Sequence, residues 1–173
     1  MTGQNDHSAA IVELLYPDAR PPERATAGSA GYDLCAYIRA RAIKCSDGVR
    51  LWDTAANMEQ GESWFHLEAH VTALIPLGFK ARLPVGIEAQ IRPRSGITFK
   101  KGLQIPNAPG TIDSDFPEEW MVIVRNPTAQ AIRIDHGERI AQMVLARYEA
   151  LPIETGKVAV TTTRVGGFGS TGR

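Results

Sequence analysis

The stretch HLEAHVTALIPLGFKARLPVGIEAQIRPRSG, residues 66–96, decides the fold class of this chain. Short apolar runs alternate in it with two turn signals, Pro-Leu-Gly at residues 76–78 and Pro-Val-Gly at residues 84–86. Several short strands at close spacing, separated by such breaks, are typical of antiparallel proteins and not of alternating strands and helices. The stretch therefore predicts an all-β domain, built as an antiparallel sandwich or barrel.

The same pattern continues on both sides of this stretch. Residues 10–17 (AIVELLYP) and 120–126 (WMVIVRN) have the β-branched and aromatic content of strands. Residues 139–148 also fit a helical period, but the Asp-His-Gly turn at residues 135–137 favours a strand after a hairpin turn. We expect strands along most of the chain.

Residues 37–65 are less regular. They combine a basic stretch, a Ser-Asp-Gly turn and two tryptophans, and Asp53 is a candidate N-cap for a short helix that ends near Gln60. About thirty residues cannot bury a core of their own. We therefore interpret them as an inserted excursion within a single domain, residues 1–173.

Composition limits the possible functions. The chain has 173 residues, of which 43% are apolar and 22% charged, as in ordinary globular proteins. Its 19 basic and 19 acidic residues balance, so no overall field favours nucleic acid or an acidic membrane surface. The apolar runs are short, and the N-terminus does not resemble a signal peptide. We expect a cytoplasmic protein in which Cys35 and Cys45 are reduced thiols.

The main candidate for a catalytic stretch is GTIDSDFPEEW, residues 110–120. Gly110 allows a tight bend, the next two residues favour a strand, and Asp113 then lies at the predicted tip of a β-hairpin. An aspartate at such a tip commonly caps backbone N–H groups. Alternatively, its carboxylate orients a water molecule and accepts a proton from it.

Two stretches carry groups that suit an anion. AGSAGYDL, residues 27–34, offers small residues that expose backbone N–H groups, followed by Asp33. PRSG, residues 93–96, combines a guanidinium, a hydroxyl and a bare backbone within four residues. Each taken alone also fits an ordinary surface loop with a capping side chain.

Two further stretches lie toward the C-terminus. GERIAQ, residues 137–142, sets Gln142 among apolar neighbours, where its amide needs a backbone or ligand partner. GGFGSTG, residues 166–172, joins one aromatic residue to glycines and hydroxyls, which suits either a phosphate cradle or a disordered tail.

In this order AGSAGYDL, PRSG, GTIDSDF, GERIAQMV and GGFGSTG resemble the motifs of the trimeric dUTPase family. The resemblance implies a jelly-roll-like β-sandwich or barrel with a mobile, glycine-rich C-terminal arm at about residues 160–173. It also implies hydrolysis of dUTP to dUMP and pyrophosphate with Mg²⁺ on the triphosphate. Such activity limits uracil incorporation into DNA and supplies dUMP for thymidylate synthesis. The family forms homotrimers whose active sites each draw on all three chains.

The resemblance also implies roles for individual residues. Asp113 is then the base that deprotonates the attacking water, and Asp33 orients water bound to the metal. The implied substrate-binding residues are Arg94, Ser95, Gly96, Asn107, Gly110, Thr111, Ile112, Phe116, Gln142, Arg164, Phe168, Gly169, Ser170 and Thr171.

The sequence departs from the family pattern at three places. Phe116 stands where the family usually has tyrosine, and Pro117-Glu118 stand where it has arginine-glycine. The spacing between Arg164 and Gly166 is one residue shorter than expected, and the excursion is longer than the usual connection.

Two other functions fit parts of the pattern. dCTP deaminases share the fold expected from the resemblance, but Ile123 stands where their catalytic glutamate is expected, and isoleucine cannot transfer protons. A non-catalytic trimeric binding module would explain the strands but not five stretches with phosphate-binding groups.

Overall fold

The computed structural model describes residues 9–159 and 161–163, and this part of the chain contains fourteen strands and one short helix. Their bounds are β1 Ile11–Leu14, β2 Glu23–Arg24, β3 Tyr32–Cys35, β4 Ala42–Ser46, β5 Leu51–Ala55, β6 Asn57–Glu59, β7 Glu62–Leu67, β8 Thr72–Pro76, β9 Phe79–Arg82, β10 Ile87–Arg92, α1 Ser95–Lys101, β11 Gly110–Ile112, β12 Met121–Arg125, β13 Ile132–Asp135 and β14 Arg139–Arg147.

The strands form four antiparallel sheets. The largest has the order β11-β10-β14-β3-β2, and the next has the order β12-β8-β4-β5. The smaller sheets are β13-β7-β6 and β1-β9. Most neighbours in these sheets are distant in sequence, so the sheets interlock through many crossovers. The predicted all-β class is confirmed, including strands at residues 11–14, 121–125 and 139–147.

The core lies between the inward faces of these sheets. Burial alternates along β12, where Val122 and Val124 are buried and their neighbours are half-exposed, as a strand with one covered face requires. Each such buried apolar side chain stabilises the fold by about 1.5–3 kcal/mol. The largest fully buried side chains are Trp120, Phe79, Leu34, Ile38, Ile43, Leu67, Ile75, Leu77, Leu103, Ile134, Ile140 and Val122.

The predicted helix from Asp53 to Gln60 is wrong, because these residues form β5, β6 and the turn that follows. Asp53 pairs with Lys44 of β4 in the register of a hairpin, so it caps no helix. Gln60 and Gly61 have φ values of 49° and 86°, the pair of positive angles found in tight hairpin turns. Strand pairing with β4 and β7 overrides the weak helical signal here.

The predicted hairpin tip at residues 110–120 is also wrong. β11 pairs with β10, whereas β12 pairs with β8 in another sheet, so the residues between β11 and β12 connect two sheets. The buried side chains of Ser114 and Trp120 fix this connection. Asp113 therefore follows directly after a strand, as expected, but in a crossover loop.

Helix α1 was not expected from the PRSG stretch. It begins at Ser95, buries Ile97 and ends at Gly102, whose φ of 72° is the left-handed conformation that favours glycine at a helix end. Within the described residues, no helix is long and apolar enough to cross a bilayer.

Candidate functional site

A cleft of about 570 Å³ lies beside β11, and we call it the Asp113 cleft. Its floor is apolar and its rim carries acids and an amide. The lining residues are Leu74, Ile91, Asn107, Gly110, Thr111, Ile112, Asp113, Phe116, Glu118, Glu119, Met121, Val122 and Ile123. An apolar floor with a few polar groups at its edge is the usual form of a small-molecule site.

Asp113 is exposed at the edge of this cleft while its backbone is anchored. Its carbonyl accepts the Phe116 N–H at 3.3 Å, and the carbonyl of the adjacent Ser114 accepts the Leu83 N–H at 3.1 Å. Among the described residues, no side chain donates a hydrogen bond to the Asp113 carboxylate. The backbone at Asp113 is therefore fixed, and its exposed carboxylate can accept a hydrogen bond or a proton from water.

Asn107 lies in an exposed turn before β11 and approaches Gly110 closely. A Cβ atom at Gly110 would lie 2.8 Å from Nδ2 of Asn107, so a larger residue would displace the amide. Glycine at position 110 therefore leaves the Asn107 amide in its observed position beside β11. Thr111 and Ile112 continue the wall of the same cleft.

A second cleft of about 440 Å³ lies on the same sheet, and we call it the Arg94 cleft. Its lining residues are Ala25, Ser29, Ala30, Gly31, Asp33, Arg92, Arg94, Ser95, Gly96, Gln142 and Val144. Strand register explains the grouping, since Gln142 of β14 lies opposite both Arg92 of β10 and Asp33 of β3. Residues opposite each other in antiparallel strands share a face.

Asp33 accepts hydrogen bonds from two arginines. Arg94 Nε lies 2.6 Å from Oδ1, and Arg139 Nη1 lies 3.1 Å from Oδ2. Arg94 also donates through Nη1 to the carbonyl of Arg139 at 3.1 Å. Arg139 was not predicted as a site residue, although it lies within the GERIAQ stretch and pairs with Cys35, two residues beyond Asp33. This network fixes the guanidinium of Arg94 at the cleft.

Gln142 has the backbone partner that the sequence analysis allowed for. Its Nε2 donates to the carbonyl of Pro93 at 2.9 Å. A Cβ atom at Gly31 would come within 2.2 Å of Oε1, so only glycine leaves room for the amide in this position. The AGSAGYDL stretch thus makes space for Gln142.

One chain does not bring the two groups of predicted residues together. Among the residues that the structure describes, the Asp113 cleft and the Arg94 cleft share no lining residue. Strand β10 contributes Ile91 to the first and Arg92 to the second, and adjacent strand residues point to opposite faces. The predicted ligands Arg164, Phe168, Gly169, Ser170 and Thr171 lie outside the described residues.

Glu119 is a further lining residue that the sequence analysis did not single out. It lies in the cleft wall and accepts hydrogen bonds from Arg41 and from the Gly78 N–H. Hydrogen bonding to Glu119 raises the pKa of Arg41 above its ordinary value. A single sequence contains no signal for this pair, because its members are 78 residues apart.

Neither cleft contains a dense set of metal ligands. Across residues 9–159 and 161–163, no group of three or more His, Cys, Asp or Glu side chains is arranged to hold a metal ion. Asp33 is the acidic residue that lines the Arg94 cleft.

Comparison with known proteins gives one family. The sequence model described as dUTPase matches residues 62–172. The chain is 40% identical over 161 residues to the deoxyuridine 5'-triphosphate nucleotidohydrolase of Rhizobium leguminosarum bv. trifolii, covering 91% of this chain and 98% of that protein. It is 41% identical over 152 residues to the enzyme of the same name from Rhizobium meliloti, covering 87% and 82%.

The fold also matches a solved structure. The dUTPase of Staphylococcus bacteriophage 80alpha, solved with dUPNHPP, superposes with a TM-score of 0.72 at 23% identity, covering 95% of this chain and 99% of that one. At this identity the likeness shows the fold, and the predicted jelly-roll-like class is confirmed.

Proposed function

This chain belongs to the dUTPase family, and we propose that it hydrolyses dUTP to dUMP and pyrophosphate. The observation that carries the proposal is the grouping of Asp33, Arg94, Ser95, Gly96 and Gln142 in one cleft, which combines charged, hydroxyl and amide donors. A cleft with these donors suits a phosphate chain. In the cell, this reaction would limit uracil incorporation into DNA and supply dUMP; the cytoplasmic location stays a prediction.

The triphosphate binds in the Arg94 cleft. Arg94 presents a planar guanidinium whose orientation is fixed by Asp33, and Ser95 and Gly96 are exposed at the start of α1. Phosphoryl transfer depends mainly on positioning and charge neutralisation, so these donors are sufficient without a nucleophilic side chain. Gln142 adds an amide beside them.

Asp113 acts on the attacking water as a general base. Support for this role comes from its anchored backbone and its solvent-facing carboxylate. Asn107, Gly110, Thr111 and Ile112 then read the base and sugar, since they line the same cleft. A general base contributes about 10² to 10⁴-fold to the rate of such a reaction.

The residues of the Arg94 cleft would suit an Mg²⁺ ion carried by the triphosphate. Asp33 retains oxygen lone pairs beyond those used by Arg94 and Arg139, so its carboxylate can hold metal-bound water. When bound, the ion would neutralise part of the negative charge on the phosphate oxygens. Arg94 and Gln142 then orient the phosphates toward the base.

Because one chain separates Asp113 from Arg94, the complete site forms between subunits of a homotrimer. A closed C₃ assembly can place the Asp113 cleft of one subunit against the Arg94 cleft of the next. Arg164, Phe168, Gly169, Ser170 and Thr171 then close on the substrate from a C-terminal segment.

Mixing inactive chains tests this assembly. Asp113→Asn chains and Arg94→Ala chains should each be inactive, whereas a mixture refolded together should regain part of the activity in hybrid sites. A mixture that stays inactive, or a monomer by light scattering, would contradict the shared site.

Pyrophosphate release tests the activity itself. Purified protein is offered dUTP, dCTP, dTTP and UTP with Mg²⁺, and we expect release from dUTP far above the others. Ammonia release from dCTP would indicate deamination instead, and binding of nucleotides without turnover would indicate a binding module.

A further inference from the structure

Arg92 is a second guanidinium in the Arg94 cleft. It ends β10 two residues before Arg94, and its side chain is exposed at the wall formed by Gln142 and Asp33. The predicted substrate-binding residues of the PRSG stretch begin after it. Its place on the cleft follows from strand register, because Arg92 lies directly opposite Gln142.

Two side chains on the same face of β10 hold Arg92 in position. Arg92 Nη2 donates to Gln90 Oε1 at 2.5 Å, and Gln90 Nε2 donates to Glu88 Oε1 at 2.8 Å. Glu88, Gln90 and Arg92 are spaced two residues apart, so their side chains share one face. Since Glu88 accepts from the amide nitrogen of Gln90, the amide oxygen is directed toward Arg92.

Arg94 is paired with a carboxylate, whereas Arg92 is bound to a neutral amide. The Asp33 carboxylate bonds to both Arg94 and Arg139, so part of their positive charge is neutralised. Within the described part of the chain, no carboxylate forms an ion pair with Arg92. Its partner Gln90 is neutral, so among the described residues no carboxylate offsets the charge of Arg92.

We propose that Arg92 is a further substrate-binding residue, which takes an oxygen of the phosphate chain on its free guanidinium N–H groups. The proposal rests on the proposed function for the identity of the nucleotide. It extends that function by assigning a second arginine to the phosphates, with Gln90 as its positioning residue. A free, oriented guanidinium loses little freedom on binding and suits a polyanion.

The test measures binding and turnover in matched variants of the full-length protein. Arg92→Gln removes the charge, Arg92→Lys keeps it, and Arg147→Gln removes one arginine from the same sheet outside the cleft. Each is titrated with inorganic tripolyphosphate and with a non-hydrolysable α,β-imido dUTP, and kcat and KM for dUTP are determined.

We expect Arg92→Gln to raise the Kd for both probes and the KM by about tenfold, the size of one charge-assisted hydrogen bond. The kcat should change less than the KM. Raising the salt concentration should shrink the difference from wild type, since ionic attraction at an exposed site is screened. Arg92→Lys should recover much of the binding, and Arg147→Gln should match wild type.

Gln90→Leu provides a second variant. It keeps the charge of Arg92 but removes the hydrogen bond that orients its guanidinium. It should weaken tripolyphosphate binding less than Arg92→Gln does. If Arg92→Gln binds tripolyphosphate as tightly as wild type at low salt, the role of Arg92 is refuted. If wild type fails to hydrolyse dUTP while Arg92→Gln still weakens tripolyphosphate binding, the proposed function fails and the phosphate contact stands.

Discussion

Arg41 holds the carboxylate of Glu119 with both terminal nitrogens, Nη2 lying 2.6 Å from Oε2 and Nη1 3.1 Å from Oε1. The Gly78 N–H donates to the same carboxylate at 2.9 Å. The two side chains are only 20% and 12% exposed, so water can replace little of this network. The pair joins the segment before β4 to the wall of the Asp113 cleft.

Replacing Arg41 by methionine should destabilise the fold. Glu119 would keep a largely buried charge with the Gly78 N–H as its donor, and we expect the free energy of unfolding to fall by about 2 kcal/mol, less than for a fully buried pair. Thermal or denaturant unfolding measures this. Arg50→Met is the control, because the Arg50 side chain of the Arg50–Asp47 pair is 80% exposed and its loss should be close to neutral. Equal destabilisation by both variants would contradict a special role for the Arg41 pair.

Asp113→Asn should abolish turnover and preserve binding. The amide keeps the shape of the side chain but cannot accept a proton, so kcat should fall by about 10² to 10⁴-fold. Steady-state kinetics and titration with α,β-imido dUTP measure the two effects. The exposed Asp53 of β5 offers a matched control as Asp53→Asn. A variant that kept more than about half of the wild-type kcat would show that Asp113 is not the base.

Gly31→Ala should impair binding more than stability. The added Cβ would come within 2.2 Å of Gln142 Oε1, the movable end of a side chain, so the amide shifts and the fold survives. The shift should break the bond to the Pro93 carbonyl and raise the KM for dUTP. Gly28→Ala is the control in the same loop, since a Cβ there meets no atom of the described residues within 4 Å. Identical kinetics for the two variants would mean that the position of Gln142 does not matter for substrate.

Substitutions at Phe116 test whether its ring discriminates deoxyribose from ribose. If its ring fills the space of a ribose 2′-hydroxyl, UTP binding costs about 1 to 3 kcal/mol because the hydroxyl loses water without gaining a partner. Phe116→Tyr should then leave the preference for dUTP over UTP nearly unchanged, and Phe116→Ala should admit UTP. The ratio of kcat/KM for the two nucleotides measures this. An undiminished preference in Phe116→Ala would place sugar discrimination elsewhere.

His136 should make stability depend on pH. Desolvation lowers its pKa below the ordinary 6.5, with Arg39 acting in the same direction and Asp18 against it. Its Nδ1 accepts the Ile38 N–H at 3.3 Å, which requires the neutral ring. The unfolded chain therefore binds the proton more readily than the folded chain. The contribution of His136 to stability is complete above the unfolded pKa of 6.5 and is lost as the pH falls toward the lower folded pKa.

The melting temperature measured from about pH 7.5 to about pH 5.5 should therefore fall more steeply in wild type than in His136→Gln. Asp18 does not interfere, because hydrogen bonding from Tyr37 lowers its pKa below 3.8, outside this window. Parallel curves for the two proteins would exclude His136 as the titrating group.

The fold class was predictable from sequence because alternating apolar residues and proline-glycine breaks act locally. The pairing of strands that are distant in sequence could not be predicted in this way. Residues 110–120 look like a hairpin tip, but the buried Trp120 pulls the chain into another sheet. Asp53 looked like a helix cap until its pairing with β4 was known. Such long-range choices leave little trace in a single sequence.

The candidate site was predictable residue by residue but not in its arrangement. The motif stretches identify Asp33, Arg94 and Gln142. Strand register places Gln142 opposite Asp33, and a hydrogen bond joins Arg94 to Asp33. Arg139 and Glu119 depend on partners far along the chain, so spacing could not reveal them.

Strand β10 divides its residues between two tasks. Ala89 and Ile91 face the core, whereas Glu88, Gln90 and Arg92 form a row on the opposite face. Substitutions along this strand should therefore have alternating effects. Those at Ala89 and Ile91 should reduce the yield of soluble protein, whereas those at Gln90 and Arg92 should reduce the affinity for the nucleotide. Selection for soluble expression alone would conserve Ala89 and Ile91 but tolerate changes at Gln90 and Arg92. Selection for activity would conserve both sets, the first for packing and the second for substrate binding.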